Sequence, residues 1–176
     1  MRYFLGLGSN LGQRRRFLKQ ALSLLQASGV HVLKTSSVYQ TQPVGLRDQP
    51  WFYNQVVEIV TDLDPYELLT LAKEIEAKLK RPKTNRNGPR TIDIDLLLAE
   101  KTIIKTRNLV IPHPRMDKRR FVLEPLNEIA PEAVHPGLKK RVADLLQAIK
   151  DDSVVIKLKE RSRTRRGGGL KKRKSQ

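Results

Sequence analysis

Residues 91–98 read TIDIDLLL, a run in which β-branched and aliphatic side chains alternate with acids before a leucine triplet. In an extended chain, successive side chains point to opposite faces. Ile92, Ile94 and Leu96 therefore fall on one face, and Asp93 and Asp95 on the other. The segment reads as a strand with one buried side and one side carrying paired carboxylates. An Asp-x-Asp of this kind is compatible with a merely solvated face, so its neighbours decide what it means.

Immediately upstream, Lys80 to Arg90 is a loop with five Lys or Arg, no acid, two prolines and a glycine. Before it, a helix has clear punctuation: Asp64 as N-cap, Pro65 at the first helical position and Glu67 three residues after the cap. Leu68, Leu69, Ala72, Ile75 and Leu79 line one side of that helix. Asn54 to Asp62 reads as a strand, Gln42 to Trp51 as a long loop, and Val30, Val32 and Ser36 to Thr41 as another strand. Further back, Phe17, Leu18, Ala21, Leu22, Leu24 and Leu25 recur at spacings of three and four, which predicts a helix over 13–27 stopped by Gly29. Arg2 to Leu7 is a first strand ended by Gly-Ser-Asn. The order β-α-β-β-α-β predicts an α+β chain of ferredoxin-like type, an antiparallel sheet with helices packed on one face. Extra C-terminal helices are expected near 117–129 and 139–150, packed around that unit.

A chain of 176 residues with 39% hydrophobic content suits one domain with an ordinary core, expected over 1–158. The absence of cysteine excludes disulfides, thiolate zinc sites and a cysteine nucleophile. With histidine only at His31, His113 and His135, any metal is expected to be hard and oxygen-bound. The apolar stretch Tyr3 to Leu7 is too short for a signal peptide and nothing is long enough to span a bilayer, so a soluble cytoplasmic protein is expected; separately, a monomer is expected. The net charge is +17, but Lys159 to Gln176 holds nine Lys or Arg and one Glu. Nearly half the excess thus sits in a tail with one leucine and a triple glycine, expected to be disordered and to bind polyanions only weakly.

The carboxylate pair stands between two basic clusters. Arg81, Lys83, Arg86 and Arg90 precede it, and Arg115, Lys118, Arg119 and Arg120 follow Pro112-His113-Pro114. Carboxylates holding Mg²⁺ beside several guanidiniums are what transfer of a polyphosphate group requires, because the metal and Arg forks together neutralise phosphate oxygens. A GxxxxGK[ST] phosphate loop is absent, and GLGSNLG at 6–12 lacks its lysine and reads as a tight strand-to-helix turn.

Four collinear segments, GLGSNLG (6–12), DQPWFYNQV (48–56), NGPRTIDIDLLL (87–98) and IPHPRMDKRRFVLEPL (111–126), resemble the 6-hydroxymethyl-7,8-dihydropterin pyrophosphokinases of folate biosynthesis. The resemblance spans roughly residues 2–151. It implies a Mg²⁺-dependent ATP:pterin diphosphotransferase with two metal ions, which moves the β,γ-diphosphate of ATP to the pterin hydroxymethyl oxygen and releases AMP. It further implies Asp93 and Asp95 as metal ligands and Arg81, Arg90, His113 and Arg119 as catalytic groups on the phosphates. Glu76, Lys83, Leu96, His113 and Arg119 are implied on the nucleotide side, and Thr41, Val44, Phe52, Asn54 and Phe121 around the pterin. The chain departs from the family pattern at Lys80, usually glycine, at Pro82 and Lys83, which replace a more arginine-rich pattern, and at Asn87, tryptophan in some members.

The alternative from another class is a ferredoxin-like nucleic-acid-binding module with a basic tail. Such a sheet displays stacking aromatics on its central strands. NQVVEIVTD and TIDIDLLL contain none, and their acids would repel phosphodiesters. A specific nucleic-acid partner is therefore not expected.

Overall fold

The computed structural model describes residues 1–82 and 88–159. Strand β1 (Arg2–Ser9) leads into helix α1 (Arg14–Ala27), then β2 (His31–Thr35), β3 (Tyr39–Thr41), β4 (Phe52–Val60), α2 (Pro65–Lys78) and β5 (Asp93–Ala99). Two short strands, β6 (Ile104–Lys105) and β7 (Val110–Ile111), pair with each other ahead of a 3₁₀ turn at Met116–Lys118 and helix α3 (Arg120–Ile129). A second small pair, β8 (Val134–His135) and β9 (Lys140–Arg141), precedes α4 (Val142–Ala148), and β10 (Val155–Lys157) closes the series. The main sheet runs β10-β3-β4-β1-β5, with β2 also paired to β4, and every pairing is antiparallel.

The helix boundaries follow local chemistry. Asp64 accepts hydrogen bonds from the backbone of Tyr66 and Glu67, and the Glu67 carboxylate returns one from the Asp64 N–H, a complete capping box ahead of Pro65. Helix α1 lacks a side-chain cap and ends where Gly29 takes a φ of 82° that closes the turn. Lys80, the departure from the glycine usual in the resembling family, sits just past α2 at a φ of 56°, the left-handed conformation that glycine adopts without a steric cost.

Four expectations about element bounds are corrected. The second strand divides in two because the Ser36 hydroxyl takes the Val56 N–H and donates to the Ser37 carbonyl, pulling 36–38 out of the ladder. The next strand begins at Phe52, two residues early, and so carries two aromatics. Residue 119 remains extended and α3 starts only at Arg120, whose N–H is capped by the distant Asp151 carboxylate at 2.8 Å. The last helix is likewise shorter than expected, starting at Val142.

Side chains from the two sheet faces build separate cores. Tyr3, Leu5 and Leu7 of β1, Ile92 just ahead of β5, and Ile94 and Leu96 within it pack against Leu18, Ala21, Leu25, Leu68, Ala72 and Ile75 from α1 and α2. Burial of each large aliphatic side chain stabilises by about 1.5–3 kcal/mol, so the alternation from Ile92 to Leu96 is energetically fixed, and the register shift opposite Phe4 and Leu5 ends it. On the opposite face Phe4, Val56, Leu97 and Leu98 meet Val122, Leu123 and Leu126 of α3 and Val142 and Leu145 of α4. Helices therefore lie on both faces rather than one. The second pair reaches the sheet at the Phe4 end of β1 and leaves the Gly6–Gly8 end uncovered by helix.

Candidate active site

Along β1 the residues sharing the Phe4 face are Gly6 and Gly8, which bring no side chain to it. Their bare backbone floors a cavity of about 240 Å³ that opens between β3, β4, β5 and the start of α3. At its apolar end stand Phe52, Phe121, Val44, Thr41 and Asn54. Asn54 donates from Nδ2 to the Thr41 hydroxyl at 2.7 Å, which leaves its carbonyl oxygen directed across the floor. A Cβ on Gly8 would lie 2.8 Å from that oxygen, so only glycine fits there with Asn54 in place.

Asp93, Asp95, Arg90, Arg115 and Arg119 form the polar end. Arg81 grips Asp93 at 2.7 Å, and Arg90 reaches its other oxygen at 3.2 Å. Arg90 also lies over the Phe52 ring at 5.2 Å, and Arg119 over Phe121 at 5.5 Å, so each aromatic carries its own cation. The Arg90 Nε is buried without a hydrogen-bond partner, a spare donor at the cavity wall. Burial first, and then the charge of Asp93, push the Asp95 carboxyl above the usual carboxylate range. Burial and the neighbouring Arg115 lower the pKa of Arg119. Two carboxylates crowded by each other, facing crowded guanidiniums, describe a site prepared for an anion and a cation together.

His113 lies just outside the cavity lining. Its Nδ1 accepts the Arg115 N–H at 3.2 Å, which assigns the proton of the neutral ring to Nε2. Burial, followed by the charges of Arg119 and Arg115, pushes the imidazole down to about 4. The ring is thus a neutral donor at pH 7. An unfolded histidine titrates near ~6.5, so the unfolded chain binds a proton that the folded one refuses. The stability His113 contributes is complete above that pH and is lost as pH falls toward 4. The melting temperature is expected to drop between pH 7 and 5, with a smaller drop in His113→Gln; an identical drop in both would contradict this assignment.

A sequence profile of 7,8-dihydro-6-hydroxymethylpterin-pyrophosphokinase (HPPK) matches residues 4–131. The chain belongs to the HPPK family. It is 51% identical over 127 residues to the 2-amino-4-hydroxy-6-hydroxymethyldihydropteridine pyrophosphokinase of Bacillus subtilis (strain 168), covering 72% of this chain and 76% of that protein. It is 40% identical over 151 residues to the folic acid synthesis protein fol1 of Pneumocystis carinii, covering 86% of this chain but only 20% of the much longer relative. Among solved structures, wild-type Plasmodium falciparum HPPK-DHPS with pteroate aligns with a TM-score of 0.68 at 18% identity over 83% of this chain and 42% of that one. That last likeness speaks for the fold. Membership of the HPPK family makes the chain a pterin pyrophosphokinase.

Within this HPPK chain, Asp93, Asp95, Arg90, Arg119, Thr41, Val44, Phe52, Asn54 and Phe121 all line one cavity, and Arg81 joins it through Asp93. Lys83, Arg86 and Asn87 lie outside the described residues, as does the tail from residue 160. Two residues expected on the nucleotide side face elsewhere. The Leu96 side chain is turned into the α1/α2 core by the strand alternation, which leaves only its backbone for a ligand. Glu76 is buried, and its carboxylate accepts from the Ile94 N–H at 2.8 Å and pairs with Arg81 at 2.6 Å and Lys73 at 3.0 Å. Those bonds tie α2 to β5 and hold Arg81 toward Asp93. The sequence reading placed Gly8 in a tight turn, whereas it lies within β1, and gave Arg115 no individual role. Gly8 was legible in the alternation Phe4, Gly6, Gly8; Arg115 had only its place in a basic cluster.

Proposed function

We propose that this enzyme transfers the β,γ-diphosphate of ATP to the hydroxymethyl oxygen of 6-hydroxymethyl-7,8-dihydropterin, as a cytoplasmic monomer acting in folate biosynthesis. The observation that carries this reading is the sharing of one cavity by two phenylalanines, the Asn54 carboxamide, two carboxylates and three arginines. A flat, amide-edged heterocycle suits the Phe52–Phe121 end, where Asn54 offers donor and acceptor groups. A triphosphate suits the arginine end. The strand order β5-β1-β4, flanked by β2 and β3, supports a ferredoxin-like core within a single domain over 1–158.

Asp93 and Asp95 fit magnesium: they are hard oxygen donors, and this ion is commonly held by one or two carboxylates with substrate phosphates and water completing the shell. Among the described residues no cluster of three or more His, Cys, Asp or Glu competes as a metal site. Burial, and then the charge of Asp93, raise the Asp95 pKa, and a cation would relieve the repulsion between the two carboxylates. When bound, two Mg²⁺ ions supply charge neutralisation on the phosphate oxygens.

The chain's own groups do the rest. The cavity would hold the pterin hydroxyl in line with the β-phosphorus; the new O–P bond forms as the bond to the oxygen bridging to the α-phosphate breaks, AMP departs with that oxygen, and the hydroxyl proton is released to solvent. Arg81, Arg90 and Arg119 bind the moving diphosphate through guanidinium forks. His113 donates its Nε2 proton as a hydrogen bond where charge gathers on the leaving phosphate. The acids beside Phe52 weigh against a nucleic-acid-binding sheet.

Luminescent detection of AMP tests the reading. AMP is expected from ATP only when the pterin and Mg²⁺ are both present; AMP release indifferent to the pterin would contradict it. At the pterin end, Gly8→Ala displaces the Asn54 carbonyl. It is expected to raise the KM for the pterin by about tenfold, the scale of one lost hydrogen bond, with the KM for ATP unchanged. A pterin KM equal to wild type would remove Asn54 from the account.

A further inference from the structure

Asn10 is 1% exposed, in the turn between β1 and α1. Its Oδ1 accepts the Arg90 N–H at 2.8 Å, while Nδ2 donates to the Pro50 carbonyl at 3.0 Å and to Gln49 Oε1 at 2.9 Å. A backbone donor on one side and a backbone acceptor on the other fix the orientation of the amide. Its own N–H and that of Leu11 then both donate to the Arg90 carbonyl, at 3.1 and 3.2 Å. The peptide groups of Arg90 are thus held on both sides by the turn, and the same side chain holds the chain two residues before Phe52.

We propose that Asn10 is a positioning residue that sets the distance between the phosphate-gripping Arg90 and the pterin-stacking Phe52 by pinning the backbones that carry them. The inference rests on the functional reading of the cavity and adds a residue outside its lining. Only a carboxamide serves. An aspartate retains the acceptor for Arg90 but meets the Pro50 and Gln49 oxygens with lone pairs, and an apolar side chain leaves buried backbone groups unpaired. Arg90 stands over the Phe52 ring at 5.2 Å, so their spacing depends on both pins, while the loss of one pin alone moves chiefly the ligand held by the residue it carries.

Steady-state kinetics of Asn10→Asp and Asn10→Ala, each with its melting temperature, test the proposal. Asn10→Asp keeps the Arg90 bond and is expected to raise the pterin KM about tenfold while leaving the KM for ATP within about twofold, a split that general loosening would not give. Asn10→Ala releases both backbones and is expected to lower kcat by about 10²-fold, the cost of misplaced reacting groups. Equal movement of both KM values in Asn10→Asp, or unchanged kinetics in either folded variant, overturns the proposal. If neither variant folds, amide exchange in the wild type decides: the Arg90 N–H is expected to be protected without ligand, and fast exchange overturns the pinning. A wild type that makes no AMP would instead sink the functional reading.

Discussion

Asp95→Ala is expected to lose at least about two orders of magnitude in turnover, the usual cost of removing a preorganised electrostatic contact. The substitution takes away charge and leaves the scaffold, because the neighbouring Ile94 and Leu96 are packed against α1 and α2 on the other face of β5. Without metal, the change should even stabilise. The folded-state pKa of Asp95 is raised by burial and by Asp93, so at pH 7 its ionised form is penalised in the native state relative to the unfolded one. That penalty is absent below the ordinary carboxylate pKa and grows as pH rises toward the shifted value. Asp95→Asn should accordingly melt at or above the wild-type temperature in the presence of a chelator while being nearly inactive, as expected where stability has been exchanged for a charged site. Near-normal turnover in Asp95→Ala, or a large drop in melting temperature, would refute the role.

Arg119→Ala is expected to slow the chemical step by about 10²–10³-fold while weakening pterin binding by less than tenfold. Arg119 faces Asp93 and Asp95 from across the cavity and is partly stripped of water, and an electrostatic contact gains strength in such surroundings. Its backbone is extended, with φ −125° and ψ 109°, ahead of the first turn of α3, so the helix does not depend on its side chain. Arg119→Lys should recover little, since an ammonium does not reproduce the planar fork that grips two phosphate oxygens. Rapid-quench single turnover separates the two effects. An unchanged single-turnover rate in Arg119→Ala would contradict the assignment.

What could be read in advance was local and periodic. The alternation in TIDIDLLL placed Asp93 and Asp95 on one face, and Asp64-Pro65-x-Glu67 announced the start of α2, because each rests on contacts within a few residues. The features that escaped depend on partners far along the chain. Asp151 caps α3 from 31 residues away, and Ser36 breaks the second strand through Val56. Glu76 sits one position past the apolar stripe of α2, yet a strand N–H and Arg81 satisfy its carboxylate in the interior. Covering of the second sheet face by α3 and α4 is a matter of tertiary packing that leaves no periodic mark on the strands. The resemblance supplied nine of the nineteen cavity-lining residues, but the bare floor made by Gly6 and Gly8 is a property of the fold.

The most direct measurement is a titration with Mn²⁺ in place of Mg²⁺, following the paramagnetic signal of the free ion in the presence of a non-hydrolysable ATP analogue. Wild-type protein is expected to take up the ion with the nucleotide, and Asp95→Asn to bind it at least about tenfold more weakly, as loss of one of two carboxylate ligands requires. Uptake of the same amount with the same affinity by both proteins would show that the carboxylates of β5 do not gather the cation, and the account of the site would fall with them.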